Sequence, residues 1–404
     1  MYSRKPIHEN SIHAPLAQAV YQGIEGSEGN LVVQAARVYL AGGDDGGLQT
    51  ALAQPLHWEA IERIADRHAI KPLVIYVLNQ YGAEKIPREV RDRFQQQWLL
   101  AARNNLIQMQ EWLRLLQAFD AAGLPVISLK GPSLALLAYR NAALREFTDL
   151  DLLVSPEDVP VASELLVREG YRLQSPADRS TLLGSRNRQM DFINDDRGTV
   201  IDLHWSPLHT MFPFQLPVRE LFQSARVEHR EGVSFLTLSP EHLLLYLCAH
   251  GTKHCWLNLR DLCDVACSVS TQTLDWEQCM AWAKSANCDL VLKHALLLAQ
   301  QVLGLKLPSQ VQQHCEEEVE AQTLAKTASA FLFRKGNDIG YRETLHYHLA
   351  FVKSWRAQSS FLFERLFIPA EPDWQQVRLP QPLHFLYYIV RPIRLLLERF
   401  SRTS

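Results

Sequence analysis

The residues with the most direct chemical potential are Asp149 and Asp151, in the run Phe147-Thr-Asp-Leu-Asp-Leu-Leu-Val154. From Thr148 to Val154 the run alternates as a half-buried strand does, so the two acids share one face and Leu150 and Leu152 the other. Carboxylates at i and i+2 stand close enough to share a divalent cation, and hard oxygen donors suit Mg2+ or Mn2+. A third acid, Asp202, lies in Val200-Ile-Asp-Leu-His-Trp205, where Val200, Asp202 and His204 share a face. Asp191 competes with it from the other arm of the same hairpin; Asp202 is preferred because Ile201 and Leu203 give cleaner alternation. Three such carboxylates suit a two-metal centre, in which one ion activates an attacking hydroxyl and the other holds a leaving pyrophosphate.

Phosphate needs donors, and the sequence offers a set ahead of the acids. Leu124-Pro-Val-Ile-Ser-Leu129 reads as a buried strand that runs into the turn Lys130-Gly-Pro-Ser133, which opens a helix to Tyr139. A glycine turn at a helix start presents backbone N–H groups to phosphate. Lys130 adds a point charge and Ser133 a hydroxyl. Arg145, four residues before the acids, is read either as a phosphate contact or as a surface arginine. His204 is read either as a general base or substrate partner, or as a histidine packed against Trp205. A zinc site from His250, His254, Cys255, Cys263 and Cys267 is the competing use of the later residues, but they contain no Cys-x-x-Cys and no familiar zinc spacing. Cys263 and Cys267 read better as small buried residues on a helix.

Leu129-Lys-Gly-Pro-Ser133, Arg145-Glu-Phe-Thr-Asp-Leu-Asp-Leu-Leu-Val154 and Val200-Ile-Asp-Leu-His-Trp205 together resemble the nucleotidyltransferase superfamily whose best-known member is DNA polymerase β. Within it the chain looks most like a bacterial group described only as nucleotidyltransferase family proteins. The resemblance is carried by residues 120–270. It implies an α+β fold with a small mixed-sheet core, and metal-dependent transfer of NMP from an NTP such as ATP to a hydroxyl acceptor, with release of pyrophosphate. It also implies catalytic and metal-binding roles for Asp149, Asp151 and Asp202, and triphosphate contacts from Gly131 and Ser133. In resembling enzymes a helical domain closes over the nucleotide and supplies a cation; Lys253 is the residue placed for that role here. One departure is plain: the usual turn is Gly-Gly or Gly-Ser, and here Pro132 stands in its middle and removes one N–H. Lys130 compensates in charge.

The elements that must hold these residues divide the chain into a helical N-terminal region (1–119), an α/β core (120–238) and a helical C-terminal region (239–404). In the first, Asn30–Leu40 and Trp58–Ala69 are apolar at helical spacing, the former ended by the glycine loop 42–47. A long helix is expected from Pro87 to Ala121, with Trp98, Leu99, Leu106, Trp112, Leu115 and Leu116 on one side. In the core, Ser155 reads as the N-cap of a helix that runs to Gly170. Arg188–Ile193 and Thr199–Trp205 read as a hairpin across 194–198, and a further strand pair lies within Arg226–Leu238. Ser239, before Pro240, caps the first helix of the last region.

Composition bounds the partners. With 47% hydrophobic and 21% charged residues the chain reads as a soluble globular protein large enough for two or three structural units. A net charge of −3 and the lack of a basic tract favour a small-molecule or protein acceptor over a long nucleic acid. All seven cysteines fall between Cys248 and Cys315, which is no disulfide framework, and the opening Met1-Tyr-Ser-Arg-Lys-Pro6 has no apolar leader, so the expected setting is cytoplasmic. The C-terminal run Pro382–Phe400 reads as a helix packed on the body and kinked at Pro392, with a membrane-surface helix as the alternative. Two other functions compete. A metal-dependent glycosyltransferase also chelates its nucleotide-sugar through Asp-x-Asp, but would want a nucleotide-binding α/β half before the acids. A catalytically inactive nucleotide-binding or regulatory module of the same fold is the other.

Overall fold

Among the described residues seven short strands make one mixed sheet: β1 (Ile127–Ser128), β2 (Asp149–Leu153), β3 (Arg172–Leu173), β4 (Gln189–Asn194), β5 (Thr199–His204), β6 (Arg226–Arg230) and β7 (Val233–Thr237), in the order β3-β4-β5-β2-β1-β7-β6. β2 and β5 run parallel, as do β1 and β7; the other neighbours are antiparallel. The structure is a computed structural model that describes residues 26–43, 46–139, 141–174, 188–208, 214–230, 232–334, 339–369, 371–377 and 379–401. The opening Met1–Pro6, and Asp44 and Asp45 of the glycine loop, lie outside the described residues. Helices precede and follow the sheet, and the fold is α+β. Before β1 the described residues are helical or irregular, and among them there is no α/β half of the kind a nucleotide-sugar enzyme would want before the acids.

The sheet separates two apolar clusters, and the alternation of β2 and β5 is the reason. Leu150, Leu152, Ile201 and Leu203 face one side, where they pack with Trp112, Leu115 and Phe119 of the helix Arg88–Ala121 and with Leu166 of the helix Val159–Arg168. Burying such a side chain contributes roughly 2 kcal/mol. Ile127 and Leu153, cross-strand partners, belong to the second cluster, which includes Leu244 and Leu247 of the helix Pro240–Lys253 and Val265 of the helix Leu259–Thr271. The polar residues of β2 and β5 therefore look toward the C-terminal helices.

Arg145 lies at neither place the sequence offered. It is fully sequestered, with its guanidinium gripping both oxygens of Asp264 at 2.8 Å, while Tyr139 donates to the same carboxylate at 2.7 Å. Burial disfavours the charge on Arg145, but Asp264 outweighs it and raises the pKa. The Arg145 carbonyl is in turn held by the Asn105 amide. The loop that delivers β2 is thus clamped between the helices Arg88–Ala121 and Leu259–Thr271.

Several elements differ locally from their sequence patterns. Within 124–129 only Ile127 and Ser128 pair as strand, because Leu124 still closes the preceding helix onto Phe119 and Pro125 has no N–H. Leu99 and Leu106 are 60% and 61% exposed, not aligned with Trp112. The long helix buries Val90, Phe94, Ala101, Asn105, Gln108, Trp112 and Leu115, a 3.6-residue period that leaves those two leucines out of phase. Ser155 makes no side-chain cap; a 3-10 turn (Pro156–Asp158) intervenes and a second proline, Pro160, opens the helix at Val159. Ser239 does cap its helix, accepting from the His242 N–H. The last helix, Tyr387–Ser401, includes Pro392 and is anchored through Arg391 and Arg394 to the fully buried Asp373, with Tyr388, Ile389, Ile393, Leu396 and Leu397 outward. No helix among the described residues is long and apolar enough to cross a membrane.

The Arg145 clamp is open to measurement. Arg145→Met leaves the Asp264 carboxylate buried without its cation and should destabilise the protein by about 3–5 kcal/mol in urea unfolding. Arg145→Met with Asp264→Leu should recover much of that loss, because the stranded charge is then gone. Equal losses in the single and double variants would show that the ion pair does not hold the loop.

Candidate active site

The parallel register of β2 and β5 sets Asp151 directly opposite Asp202, and the antiparallel register of β4 and β5 sets Asp202 opposite Asp191. Three carboxylates thus lie in one row across adjacent strands. One step along the same face, Asp149 is opposite Val200; one step the other way, His204 lies between Leu153 and Gln189. His204 Nε2 is 3.2 Å from Asp151 Oδ1, and Lys130 Nζ is also 3.2 Å from that oxygen. Gln189 donates to Asp191 at 2.9 Å and to Asp202 Oδ2 at 3.4 Å.

The turn before the helix Pro132–Ala138 delivers Lys130 to this face. Gly131 has φ 68°, and a Cβ there would stand 3.3 Å from the Asp149 carbonyl oxygen, so both conformation and the close approach of β2 call for glycine. The Leu129 N–H donates to the Asp151 carbonyl and ties the end of the preceding segment to β2. Ser133 does not turn its hydroxyl outward. It is buried and donates to the carbonyls of Ser128 and Lys130, so it stiffens the turn instead of presenting a donor to phosphate.

Charge balance at the row is uneven. Burial opposes ionisation of Asp151, but Lys130 and His204 outweigh it and hold its carboxyl well below the usual carboxylate range. For Asp202 the balance goes the other way: burial, then Asp151, Asp191 and Asp149, push its pKa well above the usual range, and the pull of Lys130 does not offset them. Asp151 Oδ2 is buried and has no hydrogen-bond partner in the protein. An unmet buried oxygen costs roughly 1–3 kcal/mol, and a divalent cation is a partner that would satisfy it. Among the described residues the set whose donor atoms all lie within 4.8 Å of one another is Asp151, Asp202 and His204. Asp149 is outside that tight set, half-buried two residues away on the same face.

The helix Pro240–Lys253 turns Tyr246, His250, Lys253 and His254 to one side at helical spacing, with the rings of His250 and His254 4.6 Å apart. Tyr246 is buried; burial, then Asp151, Asp149 and Asp202, raise its phenol well above the ordinary value. Half-buried Lys253 is lowered to about 8 by burial and then by Lys130. The zinc alternative finds no support among the described residues: Cys255, Cys263 and Cys267 are buried thiols, and Cys255 faces His348 at 3.5 Å. Gln189 and Tyr246 are the residues sequence reasoning passed over. Each carries a periodic signal, Gln189 at i−2 from Asp191 and Tyr246 one turn before His250.

The family described as "Uncharacterised nucleotidyltransferase" matches residues 54–304, well over half of the chain, from the helix Trp58–Arg67 past the sheet to the helix Asp289–Leu303. The chain belongs to that nucleotidyltransferase family. No curated protein is significantly similar to it. The family match covers the sheet that carries the acids together with the adjoining helical residues 54–119 and 239–304.

The strained charge of Asp202 has a signed consequence. Between its unfolded pKa, about 4, and its raised folded value the native state holds a proton that the unfolded chain releases, so stability from this group falls as pH rises through neutrality. Asp202→Asn removes the titration and should make the metal-free protein more stable than wild type at pH 8, by about 1 kcal/mol or more, while giving little or nothing at pH 4. Thermal unfolding across that range checks the sign; a variant no more stable at pH 8 than wild type would show that the row carries no such repulsion.

Proposed function

We propose that this nucleotidyltransferase family member transfers NMP from an NTP to a hydroxyl, or similar nucleophile, of a small molecule or protein. The observation that carries the reading is the in-register row Asp151–Asp202–Asp191 with an unmet Asp151 oxygen, set beside the Lys130–Gly131 turn. Asp149, Asp151 and Asp202 would hold a divalent cation, Mg2+ or Mn2+, which supplies charge neutralisation at the reacting phosphate when bound. Lys130, whose ammonium lies 3.2 Å from Asp151 Oδ1, would offer its charge to the β- and γ-phosphates. Lys253, from the opposing helix, approaches the same tail, and an arriving triphosphate raises its depressed pKa so that it binds as the cation. The Gly131 turn lets the triphosphate approach backbone closely; Pro132 and the Ser133 hydroxyl contribute position, not donors. The acceptor oxygen forms a bond to the α-phosphorus as the bond to the bridging oxygen breaks, the acceptor proton is released and pyrophosphate leaves. Catalysis by this face is positioning and charge stabilisation.

A second reading has its own observation. With Pro132 lacking an N–H and the Ser133 hydroxyl turned inward, the turn offers phosphate fewer donors than the family pattern, as a nucleotide-binding regulatory module without turnover would. One experiment separates the two. Protein incubated with each α-labelled NTP, Mg2+ or Mn2+ and a cell extract should transfer label to an acceptor, and Asp149→Ala with Asp151→Ala should abolish transfer. Lys253→Ala should weaken NTP binding about tenfold, the loss of one charge-assisted contact. Label transfer that persists in the double variant would sink the acid-centred mechanism, and calorimetric NTP binding without transfer from any NTP would favour the regulatory module.

A further inference from the structure

We infer that His204 is itself a ligand of the cation, and that the seat it forms with Asp151 and Asp202 selects a first-row transition ion such as Mn2+ over Mg2+. The inference rests on the reading above that this face holds a cation, and concerns which ion and through which atoms. The tight donor set contains one imidazole nitrogen and two carboxylate oxygens, and Asp149 is not part of it. Geometry explains why nitrogen takes the third place. On β5 the face position next to Asp202 is His204, and its neighbours across the sheet are Leu153 and Gln189, so no carboxylate stands at that level. Gln189 is engaged with Asp191 and Asp202, and so leaves the imidazole as the nearest donor beyond the acid pair. The His204 ring is already aimed into the seat, with Nε2 3.2 Å from Asp151 Oδ1, and it is buried, which limits the ring's freedom to swing to water.

The chemistry of the set then discriminates. Mg2+ demands a near-ideal octahedron of oxygens and sheds water reluctantly, whereas imidazole nitrogen suits borderline transition ions. In the metal-free state Nε2–H donates to the Asp151 carboxylate. Ligation through Nε2 would replace that hydrogen bond, the displaced proton leaving to solvent or to Nδ1. Asp151 Oδ2, unmet in the metal-free protein, gains its partner in the same event.

The test uses the full chain stripped of metal and no nucleotide. Equilibrium dialysis with elemental analysis should give Mn2+ binding at least about tenfold tighter than Mg2+. Pulsed electron paramagnetic resonance of the Mn2+-loaded protein should show the nitrogen modulation of a bound imidazole. His204→Gln should lose that modulation and about tenfold of Mn2+ affinity, while Mg2+ binding stays within about twofold. If His204→Gln does not fold, the wild-type spectrum decides alone: nitrogen modulation supports imidazole ligation and its absence overturns it. Equal binding of the two ions without nitrogen modulation overturns the role of His204 and leaves the acid-centred transferase reading standing. Failure to bind either ion, with NTP added in a separate trial, overturns this inference and the metal-dependent reading together.

Discussion

The pairing register of β2 with β5 is the constraint on which the rest of the site depends. A slip of one residue would turn Asp151 and Asp202 to opposite faces and drive Leu150 or Ile201 into the polar side. The hydrophobic pattern forbids that slip. Leu150, Leu152, Ile201 and Leu203 have a place only against the helices Arg88–Ala121 and Val159–Arg168, so apolar burial on one face fixes charge placement on the other. The acids are held at close quarters by packing that has no interest in their repulsion. Lys130 and the Arg145–Asp264 clamp moderate the result: one neutralises Asp151, the other fixes the loop that feeds β2.

That arrangement explains why the site is neither relaxed nor symmetric. Asp151 is bound to two partners through one oxygen and to none through the other, while Asp202 carries the repulsion of its neighbours. A protein selected only for stability would replace one of these groups. Keeping them is the usual sign of a surface built to meet something charged.

Much of this is legible in the amino-acid sequence. Strand alternation in 148–154 and 199–205 disclosed which residues share a face, because a period of two is a local property of the backbone. The hairpin, the strand pair 226–237 and the Ser239 cap were equally local. What failed to show was contact between distant segments. Arg145 reads from sequence as a phosphate contact or a surface arginine because its partner, Asp264, is more than a hundred positions away on the helix Leu259–Thr271. Ser133 looked like a phosphate donor because nothing in sequence says which way a buried hydroxyl turns. The tight grouping of Asp151 with Asp202 and His204 follows from inter-strand register, which two separate stretches of sequence do not carry.

The helix Arg88–Ala121 has a mechanical meaning beyond its packing. Its 34 residues run about 50 Å, and its two halves belong to different apolar clusters: Val90 and Phe94 to the one beneath the N-terminal helices, Trp112, Leu115 and Phe119 to the one beneath the sheet. A single rod seated in both cores couples them, since neither can swell without levering the other. Its midpoint also grips the loop before β2 through Asn105. Loosening of the N-terminal helices therefore bears on the same rod that holds the loop ahead of the acid row.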